Sequence, residues 1–165
     1  RGPSVSRSML SVLDAFSRLR VLVIGEAMLD AYLHGDTRRL CREAPVPVVD
    51  VAACHDAPGG AANAAVNAAA LGARVTLLSV VGDDPEAARL AESLAARGVP
   101  PHGLVRDPAR RTLVKQRVLA GGQILLRLDA GSTDVVALAT AARLREQLRA
   151  AWRDVDAVIA SDYGY

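Results

Sequence analysis

Aromatic side chains are nearly missing from this chain: one Trp, one Phe and three Tyr stand among 165 residues. A core of stacked rings is excluded. With apolar residues at 51%, the interior has to be aliphatic, built from Ala, Val and Leu. Cysteine is scarce too, and Cys41 and Cys54 make no disulfide scaffold. With His55 beside Cys54 and His34 upstream they form a loose Cys/His group without metal-site spacing, so reduced thiols and no metal are expected. An excess of one charge is absent: 20 basic and 18 acidic residues leave a net +2, which demands no nucleic-acid partner. Arg38-Arg39, Arg110-Arg111 and the Lys115/Arg117 pair are short clusters, not a basic stripe. No apolar run reaches the roughly 18 residues of a membrane span. The basic, polar stretch from Arg1 to Ser8 leads into no h-region with a cleavage site, so a cytoplasmic protein is expected.

What is present alternates between strand and helix. Leu10, Leu13, Phe16 and Leu19 have helical spacing and predict a lead-in helix over 9–19. Val21-Leu22-Val23-Ile24, ending at Gly25, reads as a central parallel strand buried on both faces. Residues 26–44 are polar and read as irregular, leaving the strand end where open α/β sheets place ligands. Pro45 to Val51 is extended, and the prolines put this piece at a sheet edge or in a separate small sheet. Then follow a helix over 61–71 stopped by Gly72, a strand over 74–81, and a helix over 84–97 closed by Gly98. Strands over 112–120 and 123–129 flank Gly121-Gly122, a hairpin signal. A helix over 134–152 with Asp134 near its N-cap and a buried strand over 156–160 complete the pattern. Such alternation marks an α/β fold with right-handed crossovers. Ser161 to Tyr165 sits where a ligand-bearing loop begins, and a chain stopping in mid-domain is expected to expose apolar sheet surface.

The candidate chemistry lies at these strand ends. Pro58-Gly59-Gly60-Ala61-Ala62-Asn63 opens an Ala-rich helix, and two glycines there let a ligand approach bare backbone N–H groups and the helix dipole. Asn63 offers a donor and an acceptor suited to a hydroxyl, although solvation on the first helical turn explains it equally. The same glycines also suit a plain tight turn. Asp30 follows the first strand by a few residues, where a carboxylate accepts sugar hydroxyls or satisfies local backbone. Lys115 and Arg117 share one strand face and can converge on a phosphate, or can form a solvated face. Asp162 ends a predicted strand, a frequent site position. Asp83 and Asp84 read as helix caps. No phosphate-loop Gly-Lys-Ser/Thr, dinucleotide fingerprint or nucleophile–base pair stands out, which makes a Rossmann oxidoreductase a poor alternative.

Val23-Ile24-Gly25-Glu26-Ala27-Met28-Leu29-Asp30, Glu43-Ala44-Pro45-Val46-Pro47-Val48-Val49 and Gly59-Gly60-Ala61-Ala62-Asn63-Ala64-Ala65 resemble the PfkB (ribokinase-like) carbohydrate kinases. Within them the likeness is nearest to the kinase domain of bacterial D-glycero-beta-D-manno-heptose 7-phosphate kinases. Leu71-Gly72-Ala73, Val81-Gly82-Asp83-Asp84, Thr112 to Val118, Leu128-Asp129 and Ser161-Asp162-Tyr163 continue it in order, so it covers the chain from about Arg20 onward. The resemblance implies a three-layer α/β domain with a small β lid from about 45–53 and 112–129, preceded by a lead-in at 1–19. By this likeness the 20–165 segment is the substrate-binding, N-terminal half of such a domain. It implies ATP- and Mg²⁺-dependent phosphoryl transfer to a sugar-phosphate hydroxyl, heptose 7-phosphate giving the 1,7-bisphosphate for ADP-heptose synthesis, and a homodimer through the lid. Asp30, Gly59, Gly60 and Asn63 would bind sugar hydroxyls, Lys115 and Arg117 would lie near the sugar and its existing phosphate, and Asp162 near the phosphoryl-transfer region. The family's Gly-Ala-Gly-Asp segment, with its general-base Asp, is absent from these residues. The segment alone is therefore expected to be inactive. Glu26 and Cys41-Arg42 depart from the Gly-Asp and Ser-Pro forms of the heptose kinases, which keeps a kinase for another sugar or a nucleoside open, as well as a non-catalytic sugar-binding half-domain.

Overall fold

The computed structural model describes residues 5–165, with side chains from residue 11 onward. The first helix, α1, spans Val5–Phe16. It starts and ends earlier than its apolar spacing predicts, and Leu10 falls outside the described side chains. Four parallel strands form the main sheet: β1 (Arg20–Gly25), β4 (Arg74–Gly82), β5 (Leu104–Asp107) and β8 (Ala157–Ser161), in the order β5-β4-β1-β8. Helices α2 (Ala61–Ala70), α3 (Pro85–Ala95) and α4 (Leu138–Trp152) connect them. The steps from β1 to β4 to β5 run one way along the sheet, and the step from β5 to β8 runs the other. Right-handed crossovers therefore place α2 and α3 on one face and α4 on the opposite one.

The core is aliphatic, as the shortage of aromatics requires. Val21, Val23, Leu77 and Val81 of the sheet meet Ala61, Ala62, Ala65 and Ala68 of α2 and Leu90 and Leu94 of α3. Alanine on the inner stripe of α2 lets that helix lie close to the strands. At the N-terminus of α3, Asp84 accepts from the Ala87 N–H at 2.8 Å, so it caps as expected. Asp83 instead pairs with Arg106 at 3.0 Å.

A second four-stranded sheet stands beyond the ends of the first. It contains β2 (Ala27–Leu40), β3 (Pro47–Gly60), β6 (Val114–Ala120) and β7 (Gln123–Ala130), ordered β3-β2-β6-β7. β2 pairs antiparallel with β3 and parallel with β6, and β6 pairs antiparallel with β7. Pro47 opens the edge strand β3, as its missing N–H favours. Gly121 and Gly122, with φ of 58° and 78°, close the β6–β7 hairpin in the conformation of a type I′ turn.

Four expectations need correction. Residues 27–40 are a long strand, not an irregular segment; its outer half is polar because it is exposed. β3 reaches Gly60, well past the extended piece expected to end at Val51, and runs directly into α2. The α4 helix begins at Leu138, not near Asp134, and Ala137 at its N-cap makes no side-chain bond. β8 lies at the edge of the main sheet with Ala157 to Ala160 exposed, so it is not a buried strand here. β5, only four residues long, follows a single 3-10 turn at Pro101–Gly103 and carries too little apolar pattern to be seen in sequence.

Candidate active site

The site is built where β1 hands the chain to the second sheet. At Gly25 the backbone has φ of 154°, and a Cβ would run into the Ser161 carbonyl of β8, so only glycine fits. The Ser79 hydroxyl donates to the Gly25 carbonyl at 2.7 Å and accepts from the Ala27 N–H at 2.9 Å, fixing the exit from β1. Between them Glu26 joins three segments. Its N–H donates to the Ser161 carbonyl at 3.3 Å and its carbonyl accepts from the Ala61 N–H at 2.9 Å. Its carboxylate accepts from the backbone N–H groups of Tyr163, at 2.7 Å, and Tyr165, at 3.4 Å.

Asp30 stands on β2 beside Lys115 of β6 and Ala57 of β3. Gly59 leaves the space its carboxylate occupies: a Cβ at Gly59 would lie 2.5 Å from Asp30 Oδ2. Gly60, with φ of 59°, turns strand into helix, and a Cβ there would meet the Glu26 carbonyl. Arg117 Nη1 donates to Asp30 Oδ1 at 2.7 Å, with both side chains 19% exposed. Its guanidinium carbon lies 5.1 Å from the centre of the Tyr32 ring. The bond from Asp30 holds the Arg117 guanidinium above its ordinary pKa; burial opposes this, and the charges of Asp30 and Asp129 add to it. Lys115 makes a different contact, with Nζ 5.8 and 5.4 Å from the ring centres of Tyr163 and Tyr165. Among the described residues no carboxylate lies within ion-pair distance of Lys115.

The structure therefore brings Asp30, Gly59, Gly60, Lys115 and Arg117 together at the foot of the second sheet. Asn63 is next in chain on the first turn of α2, exposed, with Oδ1 accepting from Asn67 Nδ2 at 3.2 Å. Asp162 is exposed after β8, and its Oδ1 accepts from the Gly164 N–H at 2.9 Å, shaping the loop that carries the tyrosines. A cavity of about 190 Å³ opens here, lined by Gly25, Glu26, Arg111, Leu113 and Tyr165 among others. A neighbouring hollow of about 200 Å³ is lined by Lys115, Asp129, Thr133 and Tyr165. Among the described residues no group of three His, Cys, Asp or Glu side chains is placed to hold a metal ion. Sequence reasoning missed Tyr32, Tyr163, Tyr165 and the Glu26 tie. The signal for Tyr32 was its two-residue spacing from Asp30, which is legible only once 27–40 is known to be a strand.

The family model for the pfkB family carbohydrate kinases matches residues 18–159. The chain is 46% identical over 155 residues to the bifunctional protein HldE of Shewanella amazonensis, covering 94% of this chain and 32% of that protein. It is 48% identical over 152 residues to the bifunctional protein HldE of Azotobacter vinelandii, covering 90% of this chain and 31% of that protein. The chain thus spans about a third of the length of these curated relatives. Among solved structures it is similar to a carbohydrate kinase from Agrobacterium tumefaciens, with TM-score 0.66 and 26% identity, over 86% of this chain and 45% of that one. Arabidopsis thaliana ribokinase complexed with ribose and ATP shares the fold at TM-score 0.54 and 21% identity, over 70% of this chain and 37% of that one.

Proposed function

This chain belongs to the pfkB family of carbohydrate kinases and has its ribokinase-like α/β fold, and on that premise we propose that it forms the sugar-binding part of a sugar-phosphate kinase. The whole protein would transfer the γ-phosphoryl of ATP, with Mg²⁺, to a hydroxyl of D-glycero-beta-D-manno-heptose 7-phosphate and release the 1,7-bisphosphate. The observation that carries this reading is the clustering of Asp30, Arg117 and Lys115 over the Gly59 gap. One carboxylate to accept hydroxyl protons and two cations to neutralise a phosphate suit a sugar that is already phosphorylated. Identity above 45% to proteins named HldE supports the heptose assignment.

In this reading Asp30, Gly59, Gly60 and Asn63 receive the sugar hydroxyls, and Lys115 and Arg117 lie near the sugar and its phosphate. Asp162 lies beside the region of transfer. The Gly-Ala-Gly-Asp segment of the family is not among these 165 residues, so the general base comes from another part of the protein and the segment alone is inactive. What this chain contributes is orientation: a substrate fixed against rigid strands reacts at high effective concentration in a site closed to water. Magnesium and ATP supply phosphate charge neutralisation and the transferred group. The second sheet acts as a lid, and its exposed Ile124, Leu126 and Leu128 suit a homodimer contact. The site belongs to a cytoplasmic enzyme.

The test is ADP release by the natural full-length protein with ATP, Mg²⁺ and a panel of sugars. Turnover of heptose 7-phosphate above unphosphorylated sugars and nucleosides is expected. Preference for an unphosphorylated sugar or a nucleoside would replace this reading with another pfkB-type activity. Asp30→Asn should lower kcat/KM for the preferred sugar by about 100-fold, because it removes charge-assisted acceptors and leaves Arg117 without its carboxylate.

A further inference from the structure

We propose that Arg127 is a second guanidinium for the phosphate-bearing end of the substrate, forming with Arg117 a seat that selects phosphorylated sugars. This inference rests on the sugar-phosphate kinase reading and assigns it a residue. The register of the lid fixes the argument. Asp30, Lys115 and Asp129 lie side by side in one cross-strand row. His55, Tyr32, Arg117 and Arg127 form the next row outward. Directly opposed residues share a sheet face. That face is confirmed on β2 and β6 by the Arg117 guanidinium over Tyr32 and by the 6.3 Å between the rings of Tyr32 and His55.

Two arginines in direct opposition repel, an arrangement that lowers stability unless anions lie between them. Two carboxylates are present. Arg117 bonds Asp30, and Arg127 Nε bonds Asp129 Oδ1 at 2.8 Å. The charge of Asp129 also adds to holding the Arg117 guanidinium above its ordinary pKa. Lys115, in the row between those two carboxylates, pairs with neither and turns towards the tyrosines. Three cations against two carboxylates leave the positive charge of Lys115 uncompensated, one row inward of the two arginines. Donors are also left over. Arg117 uses Nη1 for its bonds, and Arg127 uses Nε and Nη2. Arg117 Nε and Nη2 and Arg127 Nη1 make no bond among the described residues. A guanidinium carries five donors in a planar fork, the geometry that matches phosphate oxygens.

Position completes the argument. Rows two residues apart along a strand are separated by about 7 Å. The Asp30 row lies at the foot of the lid, over Gly59. A sugar whose hydroxyls lie on Asp30 therefore sets its far end at the Arg117–Arg127 row, away from the loop of Asp162. A terminal phosphate on a seven-carbon sugar reaches that distance and meets the unused Arg117 and Arg127 donors, which a plain hydroxyl has too few acceptors to engage.

The experiment is titration calorimetry on the full-length protein with heptose 7-phosphate and with the unphosphorylated heptose, for wild type, Arg127→Gln, Arg127→Lys and the control Arg38→Gln. Arg127 is 54% exposed on an edge strand, so its replacement leaves the fold intact. Arg127→Gln is expected to weaken heptose 7-phosphate by about 10–100-fold. Arg127→Lys should fall between, and both should bind the unphosphorylated heptose as wild type does. Arg38→Gln should change neither. If wild type prefers the phosphorylated sugar and Arg127→Gln keeps that preference, this inference is overturned while the kinase reading stands. If wild type shows no preference for the phosphate, the sugar-phosphate reading falls and takes this inference with it.

Discussion

At the scale of single residues the site depends on what glycine leaves out. Gly59 carries no strain of its own; it is needed because a methyl group there would occupy the place of the Asp30 carboxylate and press on buried Met28 at 2.8 Å. Gly59→Ala should therefore swing Asp30 off Arg117. We expect kcat/KM to fall by tenfold or more with a stability loss of about 1–3 kcal/mol, read by steady-state kinetics and thermal unfolding. Gly25 is a different case. Its φ and the Ser161 backbone both forbid a side chain, and backbone does not yield as a flexible side chain does. Gly25→Ala should cost more than about 3 kcal/mol and separate β1 from β8. A Gly59→Ala variant that destabilised as much as Gly25→Ala would mean that Gly59 serves packing, not room for the carboxylate.

At the scale of elements, Asp84 holds the lid to the main sheet. Its carboxylate caps α3 through Ala87 and accepts from the Thr112 N–H and hydroxyl, both at 2.7 Å, just before β6 begins. Burial pushes this carboxyl up, but the bonds from Thr112 and Ala87 outweigh it, and the net position is below the usual carboxylate range. A depressed folded pKa contributes stability that is complete above the unfolded value near 4 and is lost as pH falls through the folded one. Asp84→Ala should cost about 2 kcal/mol at neutral pH, and the gap to wild type should narrow in urea melts below about pH 4. A gap constant with pH would contradict the role of the ionised form. The capping itself was legible in sequence, because Asp-Pro before an amphipathic run has a local cause. So were β1, α2, β4, α3 and the Gly121-Gly122 hairpin, each defined by period or turn chemistry within a few residues. β2 was not: its outer half is exposed and polar, and only pairing with β3 and β6 makes it a strand. Asp30, Lys115 and Arg117 could be named singly for the same reason that their union could not. The register joining residues 87 positions apart is set by tertiary pairing.

At the scale of the molecule, two unlike apolar surfaces face outward. One lies on β7, with Ile124 58%, Leu126 52% and Leu128 47% exposed. The other is the sheet-edge strand β8, with Val158 41% and Ile159 38% exposed. The second includes an open strand edge, whose unpaired N–H and C=O groups invite another chain. The 165-residue chain on its own should therefore associate by sedimentation velocity at about 100 µM, where exposed strand edges drive aggregation. The two surfaces predict different behaviour. Pairing through the lid would be closed and would stop at a dimer, and Leu126→Ser with Leu128→Ser would abolish it. Pairing along β8 would be abolished by Val158→Lys with Ile159→Lys and left intact by the lid pair. A monomer with one cooperative unfolding transition at that concentration would show that neither surface is sticky. Loss of association with the β8 pair alone would assign the open edge as the cause and remove the lid as a contact in this chain.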